Sequence, residues 1–251
     1  MIRLQARQVW RLARKYLFIR YKNTAFGILW SFVNPLLLLL VFSIIFSQAF
    51  PSVENYKLFA LSGIVIWNFF PGAMGTLIQI LPDNAPVLRS YPVAPLVLPL
   101  AAILSSLLHF FILFLAFAFL LPAFGWKPSW TLLGIVPGMT LFALFTLGWG
   151  LVLGTLNVFF RDVALLWNTL LPAIFYFTPV VFPADLVPQG LQPFLWANPL
   201  AWYVLPLRRC LVENEWPTFA EWGVMAILAM TFLFAGLLFF RKLKKYFIAF
   251  L

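Results

Sequence analysis

The sequence predicts an all-α integral membrane protein. It has six transmembrane helices, an N-terminal amphipathic interface helix, and short re-entrant helices between the fifth and sixth spans. Three observations predict this. Of 251 residues, 64% are hydrophobic and only 10% are charged, where ordinary soluble domains carry about a quarter charged residues. The apolar residues gather in runs of the ~20 residues that cross a hydrocarbon core ~30 Å thick. The charges collect in the short segments between those runs. Residues 1–251 form a single transmembrane domain.

Residues 1–24 carry Arg3, Arg7, Arg11, Arg14, Lys15, Arg20 and Lys22. The first four recur at helical spacing and share a face, leaving Val9, Trp10, Ala13 and Leu17 for lipid. A helix of that pattern lies on a membrane surface. Ser47-Gln48-Ala49 resembles a signal-peptide cleavage site. The apolar run before it, 28–50, is longer than a signal's apolar core, so it reads as an uncleaved first span. The remaining spans are 58–81, 96–121, 131–159, 163–182 and 219–240.

Six crossings put both termini on one side, together with the loop 82–95 and the Arg161–Asp162 turn. Thirteen of the 17 Lys and Arg fall on that side, whereas Lys57, Lys127, Arg208 and Arg209 fall on the other. Positive residues stay in the cytoplasm, so both termini are expected there, in a multi-pass protein of the cell inner (plasma) membrane. The segment 184–217 is too apolar for a solvated loop and too broken by proline for a span. Short helices dipping into the outer leaflet explain it, and an interfacial aromatic belt is the alternative.

The net charge of +10 would suggest nucleic acid in a soluble protein. Beside apolar segments its partner is the anionic leaflet, so membrane lipids and not nucleic acid are expected. No phosphate-cradling G-x-x-x-x-G-K-[ST] occurs, so the chain is not expected to hydrolyse ATP itself. Cys210 stands alone and no cluster has metal-ligand spacing, so no metal is expected. His109 is isolated in the third span, where packing or hydrogen bonding is the commoner use. Asp, Glu, Lys and Arg are absent mid-span, which argues against ion-coupled transport and points to energy delivered by a partner.

Aromatics make up 19% of the chain, with stripes at Phe42/Phe46/Phe50, Phe110/Phe114/Phe117 and Phe142/Phe145/Trp149. Such stripes ordinarily pack or face lipid, but aromatic walls also suit sugars, whose C–H faces stack on rings. Gly134/Gly138 and Gly150/Gly154 allow close helix contact, within one subunit or between two.

Several blocks carry a family likeness. Arg20-Tyr21-Lys22, Gly27-Ile28-Leu29-Trp30 and Pro35 lead into the first span; Phe59, Ser62-Gly63, Trp67 and Phe69-Phe70 mark the second. Leu156-Asn157-Val158-Phe159-Phe160-Arg161-Asp162 is followed by Phe177-Thr178-Pro179-Val180, Asn198-Pro199 and Arg208. In that order they resemble ABC type 2 exporter permeases of the polysaccharide-export branch, which moves O-antigen, capsular polysaccharide or teichoic acid. One departure is Val93-Ala94 after Tyr91-Pro92, where the family usually has a basic residue.

The resemblance implies a homodimer bound to two copies of a separate ATPase that holds ATP and Mg, with no cofactor in this chain. The cargo it implies is a polysaccharide linked to undecaprenyl pyrophosphate. A coupling loop on the ATPase would use Asn84, Val87, Leu88, Arg89 and Tyr91, with Arg161 and Asp162 beside it. Arg161 and Asp162 also have a simpler reading, an ion pair closing their turn. Arg7, Arg11, Arg14, Arg20 and Lys22 are candidates for the lipid pyrophosphate, or serve only to anchor the helix. Trp30, Phe42, Phe46, Trp67, Phe70, Phe175 and Tyr176 are candidates for the glycan path. Two alternatives remain at this point: a drug or small-lipid exporter of the same superfamily, and a membrane glycosyltransferase or acyltransferase. The latter would need a catalytic acid, and Asp83 and Asp162 are the only cytoplasmic ones expected.

Overall fold

The computed structural model describes residues 2–20, 29–46, 50, 55–91 and 94–250. Every regular element among the described residues is helical. Helix α1 (Ile2–Ile19) precedes α2 (Trp30–Phe46) and α3 (Tyr56–Asp83). A six-residue α4 (Ala85–Ser90) separates α3 from α5 (Val97–Leu120). A 3-10 turn, Trp130–Gly134, leads into α6 (Ile135–Phe159), and α7 (Asp162–Phe177) follows almost at once. Next come α8 (Gln192–Ala197), α9 (Ala201–Arg208) with a π-helical turn Arg209–Glu213, α10 (Phe219–Leu243) and α11 (Phe247–Phe250).

Among the described residues, four helices are long and apolar enough to cross a bilayer: Tyr56–Asp83, Val97–Phe119, Trp130–Phe159 and Phe219–Tyr246. The other two predicted spans are shorter. Helix α2 has 17 residues and α7 has 16, or about 25 Å at 1.5 Å per residue. The fifth run therefore ends at Phe177 and not at the expected position 182. Thr178 is extended (φ −104°, ψ 133°) because the ring of Pro179 disfavours helical geometry at the residue before it. The cleavage-site-like tripeptide at 47–49 lies outside the described residues.

Helices α3 and α6 form the centre, with α5 and α10 beside them. Helix α10 packs most extensively on α6, and two glycines make this possible. A Cβ on Gly148 would strike the Phe232 backbone, and one on Gly236 would strike the Gly148 backbone. Against α3, a Cβ on Gly150 would strike the Leu77 side chain and one on Gly154 the Leu77 carbonyl. The small-residue spacing read in α6 thus serves contacts within one chain. Helix α10 starts on a capping box, where the Glu221 N–H donates to the Thr218 hydroxyl at 3.3 Å and the Thr218 N–H donates to the Glu221 carboxylate at 2.7 Å.

Helix α2 packs mainly on α3, while α1 lies along α5. This corrects the expectation of lipid contact at Ala13, which has no exposed surface, and its neighbours Leu12 and Tyr16 pack against the core, while Phe18 and Ile19 stay exposed. Arg7, Arg11, Arg14 and Lys15 are exposed as expected, and so is Trp10. One face of the molecule gathers α4, α11 and the α6–α7 turn. The opposite face gathers α9, the π turn and the end of α7.

Candidate functional site

The α4 face is built around Asn84. Its carboxamide donates to the Ile80 carbonyl at 2.8 Å, and its backbone N–H closes the end of α3 on Leu81 and Pro82. Helix α4 then presents Val87, Arg89 and Tyr91 outward, Tyr91 being 64% exposed. Leu88 turns the other way and is buried. A six-residue helix exposes one face and seats the other, so of the predicted coupling residues Leu88 holds the loop down while its neighbours are free to touch a partner. Behind the loop, burial raises the Tyr16 hydroxyl pKa, opposed by the Asn84 side chain.

Arg161 and Asp162 are both exposed. The one ion pair among the described residues joins Arg209 to Glu221, so no salt bridge between Arg161 and Asp162 closes their turn. Asn157 does that work. It has no exposed surface, and it donates to the Ile78 carbonyl at 3.0 Å and to Gln79 Oε1 at 3.3 Å. Its own oxygen accepts from the Ala164 N–H at 3.3 Å. One carboxamide therefore joins the end of α6, the start of α7 and the end of α3, leaving Arg161 and Asp162 at the surface. Sequence reasoning placed Asn157 in a family block but gave it no role. The usable signal was a lone carboxamide near the end of an apolar run, which must find partners inside the protein.

The predicted aromatic path divides. Phe42 stacks on Phe175 at 5.8 Å, and Phe175 meets Trp67 edge-on at 5.4 Å and Tyr176 at 5.4 Å. Tyr176 is 66% exposed, so this group of α2, α3 and α7 rings reaches the surface. Phe70 stands behind it with no exposed surface, stacked on Phe142 and edge-on to Trp149 and Trp167. Its ring is core packing within the chain. Trp30 sits at the far end of α2, with Arg20, on a separate cavity of about 410 Å³. Lys22 and the Phe46 side chain lie outside the described residues.

On the opposite face the segment 184–217 is anchored through α9. Tyr203 stacks on Phe142 at 4.8 Å and donates its hydroxyl to the Met225 carbonyl at 2.8 Å. Asn198 donates to the Phe177 carbonyl and the Thr178 hydroxyl, tying the start of α9 to the end of α7. Arg208 is buried, donates to the Pro179 and Val180 carbonyls at 2.5 and 2.7 Å, and lies 3.9 Å over the Phe59 ring. Gly63 leaves the space for this guanidinium, since a Cβ there would meet both Arg208 and the Val180 carbonyl. Cys210 is buried against Gly134, and burial pushes its thiol up to about 11. No cluster of metal-binding side chains occurs among the described residues.

The profile of the ABC-2 type transporter family matches residues 7–212. The chain belongs to that family. It is 29% identical over 235 residues to the O-antigen export system permease protein RfbA of Klebsiella pneumoniae, covering 93% of this chain and 90% of the relative. It is 24% identical over 252 residues to the polysialic acid transport protein KpsM of Escherichia coli, covering 95% and 96%. The capsule polysaccharide export inner-membrane protein CtrC of Neisseria meningitidis is 26% identical over 202 residues, covering 78% and 76%. The matched span includes the α4 loop, the Asn157 turn and Arg208.

Proposed function

We propose that this chain is the membrane permease of an ATP-binding-cassette exporter for lipid-linked polysaccharide, such as O-antigen, capsule or teichoic acid. One observation carries the reading: similarity over nearly the whole chain to permeases named for O-antigen and capsule export. The chain has no nucleotide-binding loop, so ATP and Mg are held by a separate ATPase, two copies of which serve a homodimer. Val87, Arg89, Tyr91, Arg161 and Asp162 are exposed on one face and form the surface on which that ATPase pushes.

Both termini and this face lie in the cytoplasm, supported by the thirteen basic residues assigned to that side. Helices α2 and α7 also cross, making six crossings. The exposed side of the Phe42–Phe175–Tyr176 group supplies one wall of the glycan path. The basic face of α1 lies at the leaflet where the lipid pyrophosphate enters.

Disruption of the gene in its native cell tests the reading. Polymer still attached to its lipid should accumulate inside, vanish from the surface, and return to the surface with the intact chain. Unchanged surface polymer, or failure to make the polymer at all, contradicts an export role.

A further inference from the structure

Between the end of α1 and helices α2, α3 and α5 lies a cavity of about 410 Å³. Five polar side chains line it, namely Arg20, Asn34, Asn68, Ser106 and His109. Its position in the bilayer follows from helix geometry. The 28 residues of α3 span ~42 Å, so with the helix upright and centred on a ~30 Å hydrocarbon core its ends stand ~6 Å beyond it. Thr76, which receives the Arg20 hydrogen bond at 3.4 Å, is ~10 Å from the α4 end of that helix at 1.5 Å per residue. The polar group therefore lies below the hydrocarbon edge, on the side of the membrane that carries α1 and α4.

Polar side chains at that depth are costly unless they serve a ligand, water or one another. An arginine at a helix end ordinarily extends toward water. Arg20 instead turns along α3 and donates to the Thr76 hydroxyl. Ser106 is 4% exposed, and its hydroxyl has no hydrogen-bond partner. The described lining contains no carboxylate, so the cavity has a positive sign. A guanidinium, two carboxamides, an imidazole and an orphan hydroxyl offer hydrogen bonds to several oxygens of one anion. The remaining walls are rings and aliphatic side chains, and α2 packs mainly on α3. A hydrocarbon tail can lie along such walls.

We infer that this cavity binds the phosphate ester of a membrane lipid, drawn below the headgroup plane between α2, α3 and α5. Arg20 and the Ser106 hydroxyl hold the phosphoryl oxygens while Trp30 borders the tail. The shared chemistry is a lipid phosphate, carried by a polyprenyl carrier or by a glycerophospholipid. The inference rests on the exporter reading only in naming the carrier.

The intact complex in phosphatidylcholine nanodiscs tests it, with bound lipid counted by native mass spectrometry. Three probes are offered: a polyprenyl monophosphate, phosphatidylglycerol, and the uncharged polyprenol of the same chain length. At least one phosphate lipid should bind ~10-fold tighter than the polyprenol, as expected for charge-assisted hydrogen bonds. Arg20→Gln, at an exposed position, should remove that preference. Arg20→Lys should restore part of it, and Ser106→Ala should weaken it without altering thermal stability. Preference for the polyprenyl phosphate assigns the cavity to a carrier lipid, and preference for phosphatidylglycerol assigns it to a resident lipid. Equal binding of the polyprenol, or a preference that survives Arg20→Gln, overturns the inference. A complex that exports polymer yet shows no phosphate preference overturns the cavity assignment and leaves the exporter standing.

Discussion

The Asn157 carboxamide donates to the Ile78 carbonyl at 3.0 Å from a position with no exposed surface. This contact ties the α6–α7 turn to the α3 end that carries the α4 loop. Force applied to either segment therefore reaches the other through this side chain as well as through the packing of α6 on α3. Asn157→Leu should lower stability by about 1–2 kcal/mol, since it leaves the Ile78 carbonyl unpaired in a dry interior. It should also uncouple ATP hydrolysis from transport. Thermal melting and the ratio of ATP consumed to polymer moved are the measurements; an unchanged ratio contradicts the mechanical role.

The two sides of α4 should separate function from folding. Val87→Asp and Tyr91→Ala alter exposed side chains, so they should reduce ATP-driven transport several-fold with thermal stability within about 0.5 kcal/mol of the parent. Leu88→Asp buries a charge and should lower both. Co-purification with the ATPase and a melting curve distinguish the cases. Full activity of the Tyr91→Ala and Val87→Asp double variant would remove α4 from the coupling surface.

Close approach of α6 and α10 sets a second contrast. Gly148→Leu drives a side chain into the Phe232 backbone, an overpacking cost of several kcal/mol, and should abolish the folded protein. Gly75→Ala meets nothing within 4 Å and should match or exceed the parent by about 0.5–1 kcal/mol, because alanine favours helix. Expression and melting in detergent read both.

The α9–α10 corner should be sensitive to pH. Partial burial, reinforced by Glu215, holds the Glu213 carboxyl above the usual range, opposed by Arg209 and Arg208. The folded state thus retains a proton that the unfolded chain gives up. Its stabilising contribution is complete below the unfolded carboxylate pKa and fades as pH rises through the folded one. Melting temperature should fall gently across that window, and Glu213→Gln should flatten the profile. A steeper fall in the variant contradicts the assignment.

Composition and run length made the helical membrane class legible, because hydrocarbon leaves few ways to satisfy a backbone. They could not fix where α7 stops, which depends on one proline, or that Ala13 of α1 is buried against the core. Aromatic spacing found the rings that cluster but not which of them reach the surface. Phe70 and Tyr176 look alike in sequence, yet they sit on opposite sides of the same packed layer. Arg161 and Asp162 drew attention as charges, whereas the joint beneath them is a neutral carboxamide whose partners are distant in sequence.

The most direct test of the central claim uses inverted membrane vesicles holding this chain with its ATPase and a lipid-linked polymer. Polymer should enter the lumen only with ATP and an intact ATPase, and stop when the ATPase can bind but not hydrolyse. Uptake that persists with the disabled ATPase, or that a proton or sodium gradient alone can drive, would contradict it.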